Sequence, residues 1–223
     1  MSKTVLVVAA HPDDEVLGCG GTIARHVAEG DTVNVLFIAD GETARIGAVN
    51  GASSEREGAA QRALAVLGVS KVEFLGLKDN RLDSYALLDI VQPLETRIAA
   101  IRPEVIYTHH RGDLNIDHEL THRAVMTACR PIPGAPIREI YCFEVVSSTE
   151  WAGPGALPFQ PQYYVNIEPY LRHKLDALVA YRAEMRAPPH SRSIEHIEAL
   201  AVHRGHSVGI LAAEAFVLVR AIR

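Results

Sequence analysis

The chain has 223 residues, and its 22 Lys and Arg against 27 Asp and Glu give a formal net charge of −5. Apolar residues make up 48% and charged residues 22%, a globular mixture that excludes disordered, collagen-like and coiled-coil proteins. The acidic balance argues against a nucleic-acid-binding protein, which usually carries a basic patch. From the length we expect one domain over residues 1–223.

No part of the sequence approaches the run of about 18 apolar residues that a membrane-spanning helix needs. The apolar start at 5–10 ends in His-Pro-Asp-Asp-Glu and not in the small residues of a signal-peptidase site, so it predicts a buried strand. The three cysteines, Cys19, Cys129 and Cys142, are widely spaced. We expect them to be reduced thiols in a cytoplasmic protein.

Short β-branched runs alternate with longer helical patterns, which is typical of βαβ units. The runs predict strands at 4–10, 32–38, 72–75, 104–108 and 140–145, with a further edge strand at 163–167. Helices are predicted from the Gly-rich turn at 18–21 to Gly30, then over 53–68 (capped by 53–55), 82–101, 117–129, 169–184 and 194–204, the third interrupted or kinked near Pro93. Loops are predicted at 39–52 and 147–162. The pattern predicts one α/β domain, Rossmann-like, with helices flanking a mostly parallel central sheet.

The first chemical cluster, HPDDE over residues 11–15, follows the first predicted strand. Ligands of open α/β sheets bind beyond the carboxyl ends of the strands. Three carboxylates this close repel one another, and a divalent metal would offset their charge. His11 and Asp14 are three residues apart, so that one turn can direct both at an ion and leave Asp13 unbound. The alternative is a set of helix N-terminal carboxylates favoured by the helix dipole.

A second cluster follows the fourth predicted strand, with four of the 11 histidines between residues 109 and 122. If the two strand ends are adjacent, His118 or His109 can reach His11 and Asp14. Two histidines and one carboxylate, with a fourth position open to water, are typical of catalytic zinc sites. Such an ion lowers the pKa of a bound water, and Asp13 could then act as general base. The alternative is surface histidines clustered by chance.

These motifs resemble those of the PIG-L/LmbE-like metal-dependent N-deacetylases. The likeness rests on AHPDDE at 10–15, GCGGT at 18–22 and NIDH at 115–118, and extends to PHSRSIE at 189–195. The family includes deacetylases of GlcNAc-phosphatidylinositol, of the mycothiol and bacillithiol precursors and of diacetylchitobiose. The resemblance implies an LmbE-like domain over nearly the whole chain.

The resemblance also implies roles for single residues. The zinc ligands would be His11, Asp14 and His118, and the general base would be Asp13. The side chains that bind sugar hydroxyls would be Arg56, Asp79 and the neighbouring Asn80.

One position departs from the family pattern. Several members carry a histidine three residues before the last ligand, where this chain has Asn115, which can donate a hydrogen bond but cannot act as an acid. We expect His190 to bind the oxyanion instead, with His109 and His110 as the other candidates. Asp117 would orient a neighbouring imidazole.

The resulting prediction is a zinc-dependent N-deacetylase that releases acetate and a free amine from an N-acetylated amino sugar or GlcNAc conjugate. Fe²⁺ or another divalent metal is a second possibility for the ion. The alternative enzyme is an amidase acting on another sugar- or thiol-conjugate amide. A nucleotide-binding module is a third hypothesis, supported by the Gly-rich turn but opposed by the carboxylates beside it. We expect a small-molecule substrate and a homo-oligomer, a trimer or hexamer as in relatives.

Overall fold

The computed structural model describes residues 2–41 and 52–223, without the side chains of residues 52–54. Most of the predicted loop at 39–52 therefore lies outside the described residues, and of the predicted cap at 53–55 only the Glu55 side chain is described. The strands are β1 Thr4–Ala9, β2 Thr32–Ala39, β3 Lys71–Leu77, β4 Val105–His109, β5 Glu139–Phe143, β6 Tyr163–Asn166 and β7 Ala213–Ala221. The helices are α1 Asp14–Ala28, α2 Ala52–Val66, α3 Leu87–Ile101, α4 Ile116–Ala128, α5 Leu171–Leu178 and α6 Ile194–His206.

The described strands form one sheet in the order β3-β2-β1-β4-β5-β7-β6. The strands from β3 to β5 pair in parallel, whereas β7 pairs antiparallel with both β5 and β6. This confirms the predicted α/β fold with a mostly parallel sheet. Because β1 and β4 are neighbours, the segments that follow their carboxyl ends lie side by side, and these segments carry the two predicted chemical clusters.

Helices cover both faces of the sheet. On one face α1, α2, α5 and α6 pack over a core that includes Val7, Ala60, Leu178 and Ile197. On the other face α3 and α4 pack over a smaller core. Burial on both faces explains why β1 and β2 read as almost uninterrupted apolar runs. None of the described helices is long and apolar enough to cross a membrane.

The C-terminal third corrects the sequence-based elements. The chain ends on strand β7, which the prediction of two closing helices missed. The first four residues of β7 are buried and the last five are exposed or half-buried. Burial therefore does not alternate along the strand, and its sequence, AEAFVLVRA, lacks the regular apolar alternation of an ordinary antiparallel strand. The predicted helix at 169–184 is wrong in extent, because α5 is flanked by short 3₁₀ turns at Glu168–Tyr170 and Val179–Tyr181.

Two predicted helix features also differ. The predicted helix at 82–101 begins with a 3₁₀ turn at Leu82–Ser84, and α3 then runs on through Pro93 without interruption. Non-helical backbone occurs instead inside α1, at Cys19, where φ is −147° and ψ is 26°. α1 is therefore two helical pieces, and the first of them begins at Asp14.

Candidate metal centre

Three buried side chains that could hold a metal ion lie where β1 and β4 end. His11 follows β1, Asp14 begins α1, and His118 lies in the first turn of α4. Asp14 Oδ2 is 3.3 Å from both His11 Nδ1 and His118 Nε2, and one ligand atom of each residue lies within 4.8 Å of the others. Atoms held about 2.1 Å from one tetrahedral zinc ion would be about 3.4 Å apart. The donor set therefore fits a small divalent cation.

Asp14 gives a second sign of a cation site. Its Oδ2 accepts a hydrogen bond from the His11 amide at 2.8 Å, but its Oδ1 is buried without a hydrogen-bond partner among the described residues. Burial alone would raise the pKa of this carboxyl, yet the adjacent His118 and His109 hold it well below its ordinary value. Asp14 therefore stays ionised and has a bare oxygen, and a buried charge without full compensation is costly.

Each imidazole has a carboxylate behind it. His11 Nε2 is 3.0 Å from Asp79 Oδ1 and 3.0 Å from Asp117 Oδ2, and His118 Nδ1 is 3.2 Å from Asp113 Oδ1. Metal-binding histidines usually engage their second ring nitrogen in this way, which fixes the ring and its tautomer. The sequence analysis predicted such a partner at Asp117 and missed Asp113. The signal for Asp113 was its position in the same post-strand segment as His118.

These carboxylates favour the protonated form of the two imidazoles. Burial disfavours the protonated form of His11, yet hydrogen bonds to Asp117 and Asp14 raise its pKa well above the usual value. Burial also disfavours protonation of His118, whereas the charges and hydrogen bonds of Asp14 and Asp113 raise its pKa to about 9. Protonated imidazoles thus supply the charge that a bound cation would supply.

Asp13 lies beside this group without belonging to it. Its φ of 129° and ψ of −28° are sparsely populated by residues with side chains, and its amide donates to Glu15 Oε2 at 3.0 Å. Asp13 Oδ2 accepts a hydrogen bond from Arg192 Nη1 at 2.8 Å and is 3.8 Å from Arg56 Nη2. Burial raises the pKa of the Asp13 carboxyl despite both arginines. A carboxyl of this kind is suited to accept a proton near neutral pH.

A cavity of about 340 Å³ reaches the metal-binding group at His11, which lines it. All three predicted sugar-binding residues line it too, and its wall is polar, so that it offers hydrogen-bonding groups to a hydroxylated ligand. The lining residues are His11, Asp13, Gly41, Arg56, Asp79, Asn80, Asn115, Glu184 and Arg192.

Asn115 has a structural part in this wall. Its Oδ1 accepts a hydrogen bond from the Asp117 amide at 2.8 Å, which caps α4, and its Nδ2 donates to Asn80 Oδ1 at 3.3 Å. Asn80 in turn donates from Nδ2 to Asp79 Oδ1 at 2.9 Å. These hydrogen bonds use one N–H of each side-chain amide, which has two.

The candidate oxyanion histidines are not among the residues that line this cavity in the described part of the chain. His190 Nδ1 accepts a hydrogen bond from the Arg192 amide at 3.0 Å. His109 Nε2 accepts from the Ala10 amide at 2.8 Å, and His110 Nε2 lies 2.9 Å from a backbone oxygen in the 147–162 loop. The sequence analysis missed the two charged residues Arg192 and Glu184, and Gly41, among the residues that line the cavity. Arg192 lies in the PHSRSIE segment that carried part of the resemblance, whereas no sequence signal pointed to Glu184.

Comparisons with known proteins show what the chain is similar to. The family model described as PIG-L, GlcNAc-PI de-N-acetylase, matches residues 6–129. An Escherichia coli K12 protein named uncharacterized deacetylase YaiS is 30% identical over 187 residues, 81% of this chain and 91% of that protein. A Bacillus cereus protein named probable N-acetyl-α-D-glucosaminyl L-malate deacetylase 2 is 28% identical over 194 residues, 84% of this chain and 86% of that protein.

Two solved structures share the fold. The N,N'-diacetylchitobiose deacetylase of Pyrococcus horikoshii superposes with a TM-score of 0.79 at 20% identity, over 98% of this chain and 84% of that one. GalB, the 4-carboxy-2-hydroxymuconate hydratase of Pseudomonas putida KT2440, superposes with a TM-score of 0.79 at 25% identity, over 99% and 98%. The fold therefore carries both a deacetylase and a hydratase, and the chemistry has to be argued from the site.

Proposed function

This chain belongs to the PIG-L family of de-N-acetylases, and we propose that it is a zinc-dependent hydrolase that removes the acetyl group from an N-acetylated amino sugar or GlcNAc conjugate. The observation that carries the proposal is one arrangement. Two histidines and one carboxylate converge on a point beside a buried carboxylate that is not part of the group, under a polar cavity large enough for a sugar.

The metal would be held by His11, Asp14 and His118. Zn²⁺ suits this set of two imidazoles and one carboxylate, and Fe²⁺ is the alternative ion. When bound, such an ion lowers the pKa of a coordinated water toward about 7 and polarises a carbonyl oxygen. Asp117 and Asp113 orient the two imidazoles from behind.

Asp13 moves the proton. It accepts a proton from the attacking water as the new C–O bond forms and the carbonyl π electrons move onto oxygen. The C–N bond then breaks, the electron pair returns to the carbonyl, and Asp13 gives its proton to the leaving amine. The immediate products are acetic acid and a free amine; at neutral pH the acid gives up its proton and the amine takes one up, so that acetate and an ammonium group result and atoms and charge balance.

The sugar is held by the cavity wall. Arg56, Asp79 and Asn80 bind its hydroxyls in this proposal, and Asn115 contributes a neutral hydrogen-bonding group without acid chemistry. The prediction that His190 binds the oxyanion stays a prediction. The B. cereus relative is named for a GlcNAc-malate conjugate, which places that class of substrate first among those to try.

Further parts of the proposal concern the protein as a whole. We place it in the cytoplasm as a single domain over residues 1–223 that assembles as a trimer or hexamer and has no nucleic-acid partner. The three cysteines are free and buried, which supports a reducing compartment. Sedimentation analysis of the purified protein tests the oligomeric state.

The decisive experiment is an amine-release screen. The substrates are methyl N-acetyl-glucosaminides, N-acetylglucosaminyl malate and N,N'-diacetylchitobiose, each with metal-loaded protein, chelator-treated protein, and treated protein with Zn²⁺ or Fe²⁺ added back. We expect acetate and amine in equal amounts, lost with chelator and restored by metal. Asp13→Asn should abolish turnover with metal content unchanged, while the exposed control Asp176→Asn should behave as wild type. Zinc-loaded protein that deacetylates none of these substrates would contradict the proposal. Amine release from a different sugar- or thiol-conjugate amide, with none from these N-acetyl substrates, would favour the alternative amidase.

A further inference from the structure

Amide hydrolysis passes through a tetrahedral oxyanion, and a preorganised hydrogen-bond donor near that oxygen contributes strongly to the rate. The metal site is one source of stabilisation, and the cavity wall must supply any other. Among the described residues that line the cavity, only five have side-chain N–H groups that could do so: His11, Arg56, Asn80, Asn115 and Arg192.

All five already make contacts, and their distance from Asp13, the proposed base, distinguishes them. His11 belongs to the proposed ligand group, and one N–H of each amide of Asn115 and Asn80 donates to a neighbouring side chain. Arg56 Nη1 lies 2.6 Å from Glu184 Oε1, and Arg56 Nη2 lies 3.8 Å from Asp13 Oδ2. Arg192 is nearer, with Nη1 2.8 Å from Asp13 Oδ2.

Arg192 makes hydrogen bonds through two of its three guanidinium nitrogens. Nε donates to Ser147 Oγ at 2.6 Å and Nη1 donates to Asp13 Oδ2 at 2.8 Å. Nη2 has no hydrogen-bond partner in the part of the chain that the structure describes, and the side chain is 20% exposed. Its backbone is fixed by Arg192 N–H to His190 Nδ1 and by Arg186 N–H to the Arg192 carbonyl.

We propose, on the basis of the function proposed above, that Arg192 is a catalytic residue whose guanidinium group donates to the oxyanion of the tetrahedral intermediate. When Asp13 accepts the proton of the attacking water, the negative charge leaves the carboxylate and appears on the substrate oxygen. A guanidinium group that already contacts Asp13 is placed to follow that charge from one oxygen to the other. Arginine suits this part because it stays protonated and its planar group offers several donors at once.

The test measures kcat and KM of Arg192→Met, Arg192→Lys and Arg192→Gly on the best substrate of the amine-release screen. Removal of an oxyanion donor lowers kcat by about 10²–10³, so we expect this loss in Arg192→Met and Arg192→Gly with KM and zinc content nearly unchanged. Arg192→Lys should retain part of the rate. Added methylguanidinium should raise kcat of Arg192→Gly about tenfold or more and leave wild type unaffected. The control Arg186→Met, in the same segment but outside the cavity wall, should have wild-type kinetics.

A second measurement distinguishes binding of the oxyanion by Arg192 from a role in which Arg192 only positions the Asp13 carboxylate. A methylphosphonamidate of glucosamine carries an anionic oxygen where the oxyanion forms, and calorimetry gives its affinity for each variant. We expect Arg192→Met to weaken this binding about as much as it lowers kcat/KM, and to do so equally when Asp13 is Asn. If Arg192 only positioned Asp13, Arg192→Met would no longer weaken phosphonamidate binding in the Asp13→Asn background, and that result overturns the proposal.

The remaining outcomes are distinct. Arg192→Met with wild-type kcat, or with a raised KM and unchanged kcat, overturns the oxyanion assignment and leaves the deacetylase intact. Wild-type protein that releases no amine refutes the proposed function, and the assignment of Arg192 falls with it.

Discussion

Glu214→Gln is the perturbation that tests how the broken helix α1 is held. In an unbroken helix the Gly21 amide would donate to the Leu17 carbonyl. Here the Gly21 and Thr22 amides donate to the Glu214 carboxylate at 2.9 and 2.7 Å. Lys174 Nζ donates both to Leu17 O at 2.8 Å and to Glu214 Oε1 at 2.6 Å. An ion pair from α5 and β7 thus bridges the break.

The pair is almost fully buried, since Lys174 is 4% and Glu214 5% exposed. Removing one partner of a buried ion pair costs about 3–5 kcal/mol, because the other charge is left uncompensated. Glutamine also turns an N–H group toward backbone donors that need an acceptor. For a chain of 223 residues, that loss corresponds to a fall in Tm of about 6–20 °C.

Urea unfolding followed by circular dichroism measures the loss. The double variant Lys174→Met/Glu214→Gln should be less destabilised than the sum of the single variants by at least about 1 kcal/mol, because no buried ammonium remains. Asp176→Asn is the matched control: it breaks the exposed pair with Arg172 on α5 and should cost less than about 1 kcal/mol. A loss below 1 kcal/mol in Glu214→Gln, or strict additivity in the double variant, would refute the reasoning.

Two further predictions concern buried carboxyl groups near the site. Asp113→Asn should weaken zinc binding about 10–100-fold, because His118 Nδ1 loses its carboxylate partner; competition with a chromogenic chelator measures this, and an unchanged affinity would argue against His118 as a ligand. Burial raises the pKa of the Glu15 carboxyl to about 8 from an ordinary 4.5, despite a hydrogen bond from the Tyr181 hydroxyl. Its contribution to the stability of metal-free protein is therefore full below about pH 4.5 and is lost as the pH rises through about 8. Glu15→Gln cannot ionise, so its free energy of unfolding should fall less over that range; parallel pH profiles would show that Glu15 ionises normally.

The parts of the site that sequence analysis predicted are those encoded by short motifs at strand ends. The segment after β1 and the segment after β4 each carry their chemistry within a few residues, and a mostly parallel sheet places neighbouring strand ends together. This reasoning brings His118 or His109 to His11 without coordinates, and the family resemblance then selects His118. Their burial and the carboxylates behind them needed the structure.

The rest could not be predicted, because the contacts join residues far apart in sequence. Arg192 and Asp13 are 179 positions apart, and Glu214 and Gly21 are 193 apart. No periodicity or capping rule relates such positions, since long-range pairs follow from the packing of finished elements. The contact of Glu214 with the helix that begins at Asp14 was beyond the sequence analysis for this reason as well, since the strand that carries Glu214, β7, was itself missed from its pattern.

The separation of Asp13 from the metal-binding group comes from backbone conformation. A tight turn closes from the Asp14 amide to the His11 carbonyl at 3.2 Å, which brings both side chains to one side. Asp13 has a φ of 129°, and its carboxylate is turned toward Arg192. A backbone strained in this way costs about 1–3 kcal/mol. The hydrogen bond from the Asp13 amide to Glu15 Oε2 and the one from Arg192 to the Asp13 carboxylate offset that cost. In the proposed mechanism the order of the two aspartates in the motif therefore matters: the first would accept a proton because the turn holds it away from the metal-binding group, and exchanging their roles would require a different turn.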